Sequence, residues 1–105
     1  MKKITIDSSK MDTVFVSLMI DGVVVEEIKV TKKIRGSQVI LQSIDDLLKK
    51  TRISLSEIDT VDTHAGPGSY TGLRVGASIA NTLAFCLNIP LNNGVIGEFV
   101  YPRYE

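Results

Sequence analysis

The glycine-rich segment at residues 66–76 (GPGSYTGLRVG) has the residue types closest to ligand-binding chemistry. Glycine permits a strand-to-helix turn with unusual backbone dihedrals, and Pro67 stiffens that turn. Backbone amides exposed at the start of the following helix could receive an anion. The spacing matches neither a dinucleotide fingerprint nor a phosphate loop, since no Gly-Lys-Ser/Thr is present. A tight capped turn and an anion-binding turn therefore both stay open.

Two candidate nucleophiles are Ser69, in the glycine-rich segment, and the single cysteine, Cys86, and neither has the neighbours that catalysis requires. The sequence near Ser69 supplies no base except the lone His64, and no HExxH motif is present, so we predict no catalytic residue and no metal site. His64 ends a predicted strand and is interpreted as a turn or packing residue. Cys86 lies in an apolar helical stretch and is predicted to be a buried small hydrophobe. A single cysteine also excludes an internal disulfide and favours a reducing compartment.

The composition is that of one globular domain. Of the 105 residues, 44% are hydrophobic and 23% are charged, which argues against disorder. Twelve basic and twelve acidic side chains give a net charge of zero, so direct nucleic-acid binding by this chain alone is disfavoured. Asp7 interrupts the apolar run after Met1-Lys2-Lys3, and no stretch is long enough to span a membrane. We expect a cytoplasmic protein.

Three antiparallel strands are predicted at the start of the chain. The first, Ile4–Ile6, ends in the polar turn Asp7-Ser8-Ser9, and the second covers residues 13–20. Asp21-Gly22 is a strong hairpin signal, and residues 23–30 supply the returning strand.

A helix and a short strand follow. Ser37 can cap the helix, and a strand is predicted over residues 59–65. One apolar stripe of the helix is predicted to face the sheet, with residues Ile40, Leu41, Ile44, Leu47 and Leu48.

A second helix is predicted after the glycine-rich segment, capped by Ser69 or Thr71 and reaching Leu87. Residues 91–95 are predicted to enter the sheet as a fifth strand. The resulting order, βββαβαβ, predicts an α/β domain with a mixed sheet and two main helices. This is the topology of one lobe of an actin-like or sugar-kinase-like ATPase.

As a whole string, residues 66–76 resemble the signature of the TsaB (YeaZ) family, and the similarity extends over most of the chain. The resembling residues of the signature turn are Gly66, Pro67, Gly68, Ser69, Tyr70, Thr71 and Gly72. Further matching stretches are Ile6-Asp7-Ser8-Ser9, Asp21-Gly22, residues 44–48, residues 55–59 and Ile89-Pro90.

The resemblance implies a function. Members of that family are non-catalytic partners in making threonylcarbamoyladenosine on transfer RNA, and they resemble an actin-like (ribonuclease H-like) ATPase with two lobes. The resemblance implies a TsaD-like catalytic subunit as partner, which holds the metal and transfers the threonylcarbamoyl group. It also implies a TsaE-like ATPase in the same complex. When the partner is absent, we expect a homodimer through the same surface that would bind the partner.

The chain departs from the family pattern in its length. The usual member is about twice as long, so we expect residues 1–96 to form a single N-terminal lobe, residues 97–105 a tail, and the second lobe to be absent. A naturally shortened version and a truncation both stay open. The remaining candidate for a phosphate loop is Asp7, Ser8 and Ser9, which lacks the glycine usual in ATPase members. Half a cleft cannot enclose a nucleotide, so we expect no bound cofactor and no independent ATPase activity.

The second helix is apolar nearly all round and has small residues every four positions, which favours close approach of another helix. The predicted partner interface consists of Ile40, Ile44, Leu73, Arg74, Gly76, Ala77, Ala80, Asn81, Leu83 and Ala84. An ordinary contact between the two helices of this chain is the alternative interpretation. At the level of function, the alternatives are a nucleotide-binding or phosphotransfer domain that uses Gly66–Gly76 and Asp7, and a homodimeric interaction module outside the pathway.

Overall fold

The computed structural model describes residues 1–10, 12–31, 38–64, 66, 68 and 70–102. In this part of the chain, four strands and two helices form the fold: β1 (Lys2–Lys10), β2 (Thr13–Ile20), β3 (Val23–Thr31), α1 (Gln38–Thr51), β4 (Thr60–Thr63) and α2 (Tyr70–Leu87). A short 3₁₀ helix, Leu55–Glu57, connects α1 to β4.

The sheet is mixed, with the strand order β3-β2-β1-β4. The first three strands form an antiparallel meander, and β4 pairs parallel to β1 after the crossover through α1. Asp21 and Gly22 both have positive φ angles, 51° and 83°, as a type I′ hairpin turn requires. The predicted hairpin, the mixed sheet and the two helices are therefore confirmed.

One face of the sheet carries the core. Side chains that alternate along β1 and β2 have no exposed surface, and these are Ile4, Ile6, Val14, Val16 and Leu18. Helix α1 packs on β2 and β3, and α2 packs on β1 and β4, so both helices cover that face. Burying each such aliphatic side chain stabilises the fold by about 1.5–3 kcal/mol, which makes this face the main source of stability.

Two predicted elements differ from the structure. Strand β1 runs through Asp7, Ser8 and Ser9, which were expected to form a polar turn, because Lys10 still pairs with Thr13 beyond an irregularity in the register. The expected fifth strand at residues 91–95 is reduced to a single bridge between Leu91 and Val61. Asn92 and Asn93 adopt left-handed conformations, with φ of 52° and 60°, and the chain turns away from the sheet there.

Segment 90–92 closes the β4 edge of the sheet. The Val61 N–H donates to the carbonyl of Pro90 at 3.2 Å, and the Asn92 N–H donates to the carbonyl of Val61 at 2.9 Å. The Asn92 side chain then pairs with both backbone groups of Thr63, accepting from its N–H at 2.7 Å and donating to its carbonyl at 3.0 Å. The β3 edge has no such cover in the described residues.

Residues after the bridge return to α2. The Asn81 side chain accepts a hydrogen bond from the Val100 N–H at 2.8 Å and donates one to the Val100 carbonyl at 2.7 Å. Val100, which lies in the predicted tail, is thus bonded to α2. No described helix is long and apolar enough to cross a membrane.

Candidate functional site

The end of β1 and the start of α2 approach each other so closely that only glycine fits between them. A Cβ atom at Gly76 would lie 2.1 Å from the Ser8 Oγ, and one at Gly68 would lie 2.7 Å from the Ser9 Cβ. Real Cβ atoms do not approach other atoms at such distances. We call Ser8, Ser9, Gly68, Gly72 and Gly76 the β1–α2 junction. Two glycines of the glycine-rich segment are therefore required by packing.

The polar groups at this junction are engaged with one another. The buried Ser8 hydroxyl donates to the Gly72 carbonyl at 2.7 Å. The Ser9 N–H and hydroxyl both donate to the Asp7 carboxylate, at 3.0 and 2.6 Å. These three residues are the predicted vestigial phosphate loop; here the Ser8 side chain holds strand to helix, and the Asp7 carboxylate accepts from Ser9 within the strand. Binding of a phosphate group by them stays a prediction.

The rest of the signature turn is described only in part. Gly66 has a φ of 131°, a conformation that side chains disfavour, and this accounts for glycine at that position. Pro67 and Ser69 lie outside the described residues, and Tyr70, Thr71 and Gly72 form the first turn of α2. Beneath the helix, the Thr63 hydroxyl is buried with no hydrogen-bond partner in the described part of the chain. Among those same residues, no cluster of three or more His, Cys, Asp or Glu side chains could hold a metal ion.

Most of the residues predicted to form the partner interface pack inside their own chain. Seven of the ten are buried, namely Ile40, Ile44, Leu73, Gly76, Ala77, Ala80 and Ala84. The partner interface over all ten residues stays a prediction, and within this chain the small residues of α2 let the helix approach its own sheet closely. Leu83 and Asn81 are half-buried, and Arg74 is exposed. Asn81 is already occupied by Val100, on the tail side of α2.

An open apolar groove lies between α1, the 3₁₀ helix and α2. The two helices contact each other sparsely, and a space of about 620 Å³ separates parts of them. We call this space the interhelical groove, and its apolar lining consists of Leu41, Ile44, Leu48, Ile53, Leu55 and Leu83. A smaller space of about 210 Å³ adjoins it at Leu41 and Leu83 and is also lined by Ser78, Ile79 and Thr82 of α2. Leu41 is 49% exposed at its wall.

Leu41 and Leu48 were expected to face the sheet, and the structure places them on the groove side of α1 instead. The buried stripe of this helix is Ile40, Ile44 and Leu47, and Leu41 and Leu48 form a second stripe seven residues apart. The sequence signal that could have indicated this groove is an apolar arc on α1 that is wider than one contact with the sheet requires.

The rim of the groove is charged. The Lys49 ammonium lies 2.8 Å from the Asp45 carboxylate, one helical turn earlier, and both residues line the groove. The hydrogen bond and the charge of Asp45 raise the pKa of Lys49 above its ordinary value. On the 3₁₀ helix, the Ser54 N–H donates to the Glu57 carboxylate at 2.8 Å, and this hydrogen bond lowers the pKa of Glu57. An apolar floor with a charged rim is typical of a protein-binding surface.

Cys86 is exposed, so the prediction that it is buried was wrong. It lies near the end of α2 beside Phe85, which is 69% exposed, on a part of the helix that neither the sheet nor α1 covers. His64 is exposed at the end of β4, and its backbone N–H donates to the backbone carbonyl of Ile6 at 3.0 Å. The position of His64 agrees with the turn residue that the sequence predicted.

Comparison with known proteins identifies relatives with two names, the biosynthesis protein TsaB and tRNA N6-adenosine threonylcarbamoyltransferase. The family model described as tRNA N6-adenosine threonylcarbamoyltransferase (TsaD) matches residues 30–93. The chain is 44% identical over 52 residues to the tRNA threonylcarbamoyladenosine biosynthesis protein TsaB of Haemophilus influenzae, a match covering 50% of this chain and 22% of that protein. It is 32% identical over 89 residues to TsaB of Bacillus subtilis, covering 85% of this chain and 38% of that protein.

The fold has solved counterparts. The structure described as YeaZ from Pseudomonas aeruginosa superposes with a TM-score of 0.72 at 28% identity, over 86% of this chain and 41% of that chain. The chain thus spans less than half the length of these relatives.

Proposed function

We propose that the chain acts in making threonylcarbamoyladenosine on transfer RNA. It belongs to the TsaD family, and its relatives include the TsaB (YeaZ) proteins. Its role is that of a non-catalytic scaffold or activating subunit, which binds a TsaD-like catalytic subunit. The lobe of residues 1–96 supplies the docking surface, and a TsaE-like ATPase joins the same complex. We expect the chain to be located in the cytoplasm, because its proposed role is in the modification of transfer RNA.

The observation that supports this role is the open interhelical groove. Leu41 exposes half of its surface beside an apolar space bounded by two helices, and a helix or helix pair of a partner would bury it. Apolar side chains that stay exposed in one contiguous patch mark interaction sites. The Asp45–Lys49 pair at the rim supplies polar contacts that orient the partner.

The competing function, nucleotide binding at the glycine-rich segment, has less support. The hydroxyl of Ser8 and the carboxylate of Asp7 are committed to hydrogen bonds within the chain. The glycines at 68 and 76 face Ser9 and Ser8 at distances that leave no space for a ligand atom between them. ATP titration of the isolated chain separates the two functions, since saturable binding contradicts the scaffold role.

The direct test is affinity for the TsaD-like protein of the same organism, measured by calorimetry. Leu41→Asp places a charge in the apolar wall, and Thr82→Arg places a long charged side chain in the groove from an exposed position. Each is expected to weaken binding roughly thirtyfold or more, since truncated or charged hot spots lose about 2 kcal/mol.

Val95→Asp is the matched control, because Val95 is 71% exposed and lies outside the groove. It should leave the affinity within about twofold, as substitutions away from the contact do. Equal losses of affinity in all three variants, or unchanged affinity in both groove variants, would show that the partner does not bind at the groove.

A further inference from the structure

Helix α1 ends in a Schellman motif with Arg52 at its left-handed position. The Arg52 N–H donates to the Lys49 carbonyl at 3.3 Å. The next N–H, that of Ile53, donates to the Leu48 carbonyl at 3.1 Å. Arg52 has a φ of 58°. Helices that end in this way most often have glycine at that position, and sometimes asparagine, because a Cβ atom disfavours the left-handed region. An arginine there lowers the stability of the chain.

Helix α2 provides the comparison within the same chain. It ends in the same motif, since the N–H groups of Asn88 and Ile89 donate to carbonyls three and five residues earlier, and Asn88 has a φ of 55°. Five described non-glycine residues have a positive φ, and all of them except Arg52 are asparagine or aspartate. Those two residue types tolerate the left-handed region, whereas arginine does not share that tolerance. The backbone therefore does not account for arginine at this position.

The Arg52 side chain lines the interhelical groove, together with the apolar side chains of Ile53 and Leu55. It is exposed, and it forms no ion pair with any other residue that the structure describes. In contrast, the ammonium groups of Lys49 and Lys50 lie 2.8 and 3.7 Å from carboxylates. Arg52 is therefore the cation at this end of α1 whose charge is not compensated within the described residues.

A guanidinium at the edge of an apolar groove is suited to a carboxylate. It presents its N–H donors in a planar fork, which binds a carboxylate through two parallel hydrogen bonds. A phosphate group of a nucleic acid fits the same fork, but a nucleic acid would leave the apolar lining of the groove in water. A partner helix that is apolar on one side, with an acidic side chain at the end nearest Arg52, covers the lining and neutralises the charge.

We infer that Arg52 is a specificity-determining residue of the interhelical groove, where its guanidinium pairs with a carboxylate on the docking helix of the TsaD-like partner. The inference rests on the proposed function and adds to it the charge that the partner carries at this end of the groove. A residue that destabilises its own helix end is expected where binding requires its side chain.

The test uses Arg52→Gly, because this change should move stability and binding in opposite directions. Glycine is the residue that the left-handed position favours, so the variant is expected to unfold at a higher urea concentration than the unaltered chain. The same change removes the guanidinium, so affinity for the TsaD-like protein, measured by calorimetry, is expected to fall roughly tenfold. Arg52→Lys keeps the charge without the fork and is expected to retain part of the affinity.

Asn88→Gly is the matched control, because Asn88 has the equivalent position in α2 and does not line the groove. It should leave the affinity within about twofold. Arg52→Asn repeats the test with the residue that α2 has at this position, and it should weaken binding as Arg52→Gly does. Salt gives a further readout, since an ion pair makes affinity fall as ionic strength rises, and both uncharged variants should reduce that dependence.

Arg52→Gly and Arg52→Asn variants that bind as tightly as the unaltered chain overturn the inference, and if Leu41→Asp still weakens binding, the groove remains the docking site. Unchanged affinity for the TsaD-like protein, with weaker binding of transfer RNA by the complex, also overturns it, because Arg52 then contacts a phosphate. An unaltered chain that does not bind the TsaD-like protein at all contradicts the proposed function, and this inference fails with it.

Discussion

The β1–α2 junction and the interhelical groove lie on different sides of the same helix and differ in how completely this chain fills them. At the junction, Gly76 and Ser8 are so close that one added carbon would collide with the hydroxyl, 2.1 Å away. In the groove, Leu41 keeps 49% of its surface exposed, and the two helices leave a space between them.

The contrast separates the residues that build the lobe from those available to a partner. The glycine-rich segment is the most distinctive part of the sequence, yet packing between strand and helix accounts for Gly68 and Gly76. The groove is lined by leucines and isoleucines that no motif singles out. A change at the junction should therefore alter stability, and a change in the groove should alter binding alone.

The largest effect on stability is expected for Gly76→Ala. The new Cβ displaces the Ser8 hydroxyl from its hydrogen bond with the Gly72 carbonyl, and the overpacking and lost bond outweigh the gain in helix propensity. We expect a loss of about 2 kcal/mol in the free energy of unfolding, measured by urea denaturation.

The control for Gly76→Ala is the same change in a Ser8→Ala background. There the colliding oxygen is absent, and the nearest remaining atom, the Cβ at position 8, lies 3.4 Å away. Gly76→Ala should then cost little or stabilise the chain through helix propensity. Equal costs in the two backgrounds would show that the collision is not what requires glycine.

Ser8→Ala alone should have an intermediate effect. It removes a buried hydrogen bond of 2.7 Å without creating a collision, and such bonds contribute about 1 kcal/mol. Thermal and urea unfolding should both report this loss, with unchanged cooperativity. An unaffected stability would mean that the hydroxyl does not hold β1 to α2.

Leu41→Asp should change stability by less than about 1 kcal/mol, because the side chain is already half exposed on a solvent-facing part of α1. The same variant is expected to lose affinity for the partner, so the two measurements diverge at this residue. A large loss of stability would mean that the Leu41 side chain is buried in the groove in solution and fills it.

The smallest effect concerns the pH dependence of stability at the 3₁₀ helix. The hydrogen bond from Ser54 lowers the pKa of Glu57 below its ordinary value of 4.5, so the folded state favours the ionised carboxylate. Its stabilising contribution is present above that ordinary value and is lost as the pH falls through the lowered pKa. Glu57→Gln should make the stability depend slightly less on pH in this range. An acid-unfolding profile identical to that of the unaltered chain would contradict this expectation.

Much of the fold could be predicted from residue patterns. Asp21-Gly22 between two apolar runs predicted the hairpin, and the spacing of Ile40, Ile44 and Leu47 predicted α1. The prediction failed at Ser8 and Ser9, because serines favour turns, whereas here the Ser8 hydroxyl finds its acceptor on α2 and the Ser9 hydroxyl donates to Asp7 within the same strand. It failed again after Leu91, where two asparagines in left-handed conformations end the pairing.

The site was harder to predict than the fold. Small residues along α2 indicate that some neighbour comes close, and the sequence cannot distinguish its own sheet from another protein. Ala77 and Ala80 proved to face the sheet, whereas the exposed wall belongs to Leu41. The sequence predicted a buried Cys86 because α2 is apolar on nearly every side. Which side of α2 is covered depends on where α1 lies, and the sequence does not give that position.

The most direct test of the docking surface is amide hydrogen exchange of this chain with and without the TsaD-like protein. The account predicts that protection appears along α1 and along residues 79–83 of α2, while residues 66–76 exchange as before. Protection confined to the glycine-rich segment, or absent from both helices, would contradict the assignment of the interhelical groove as the partner site.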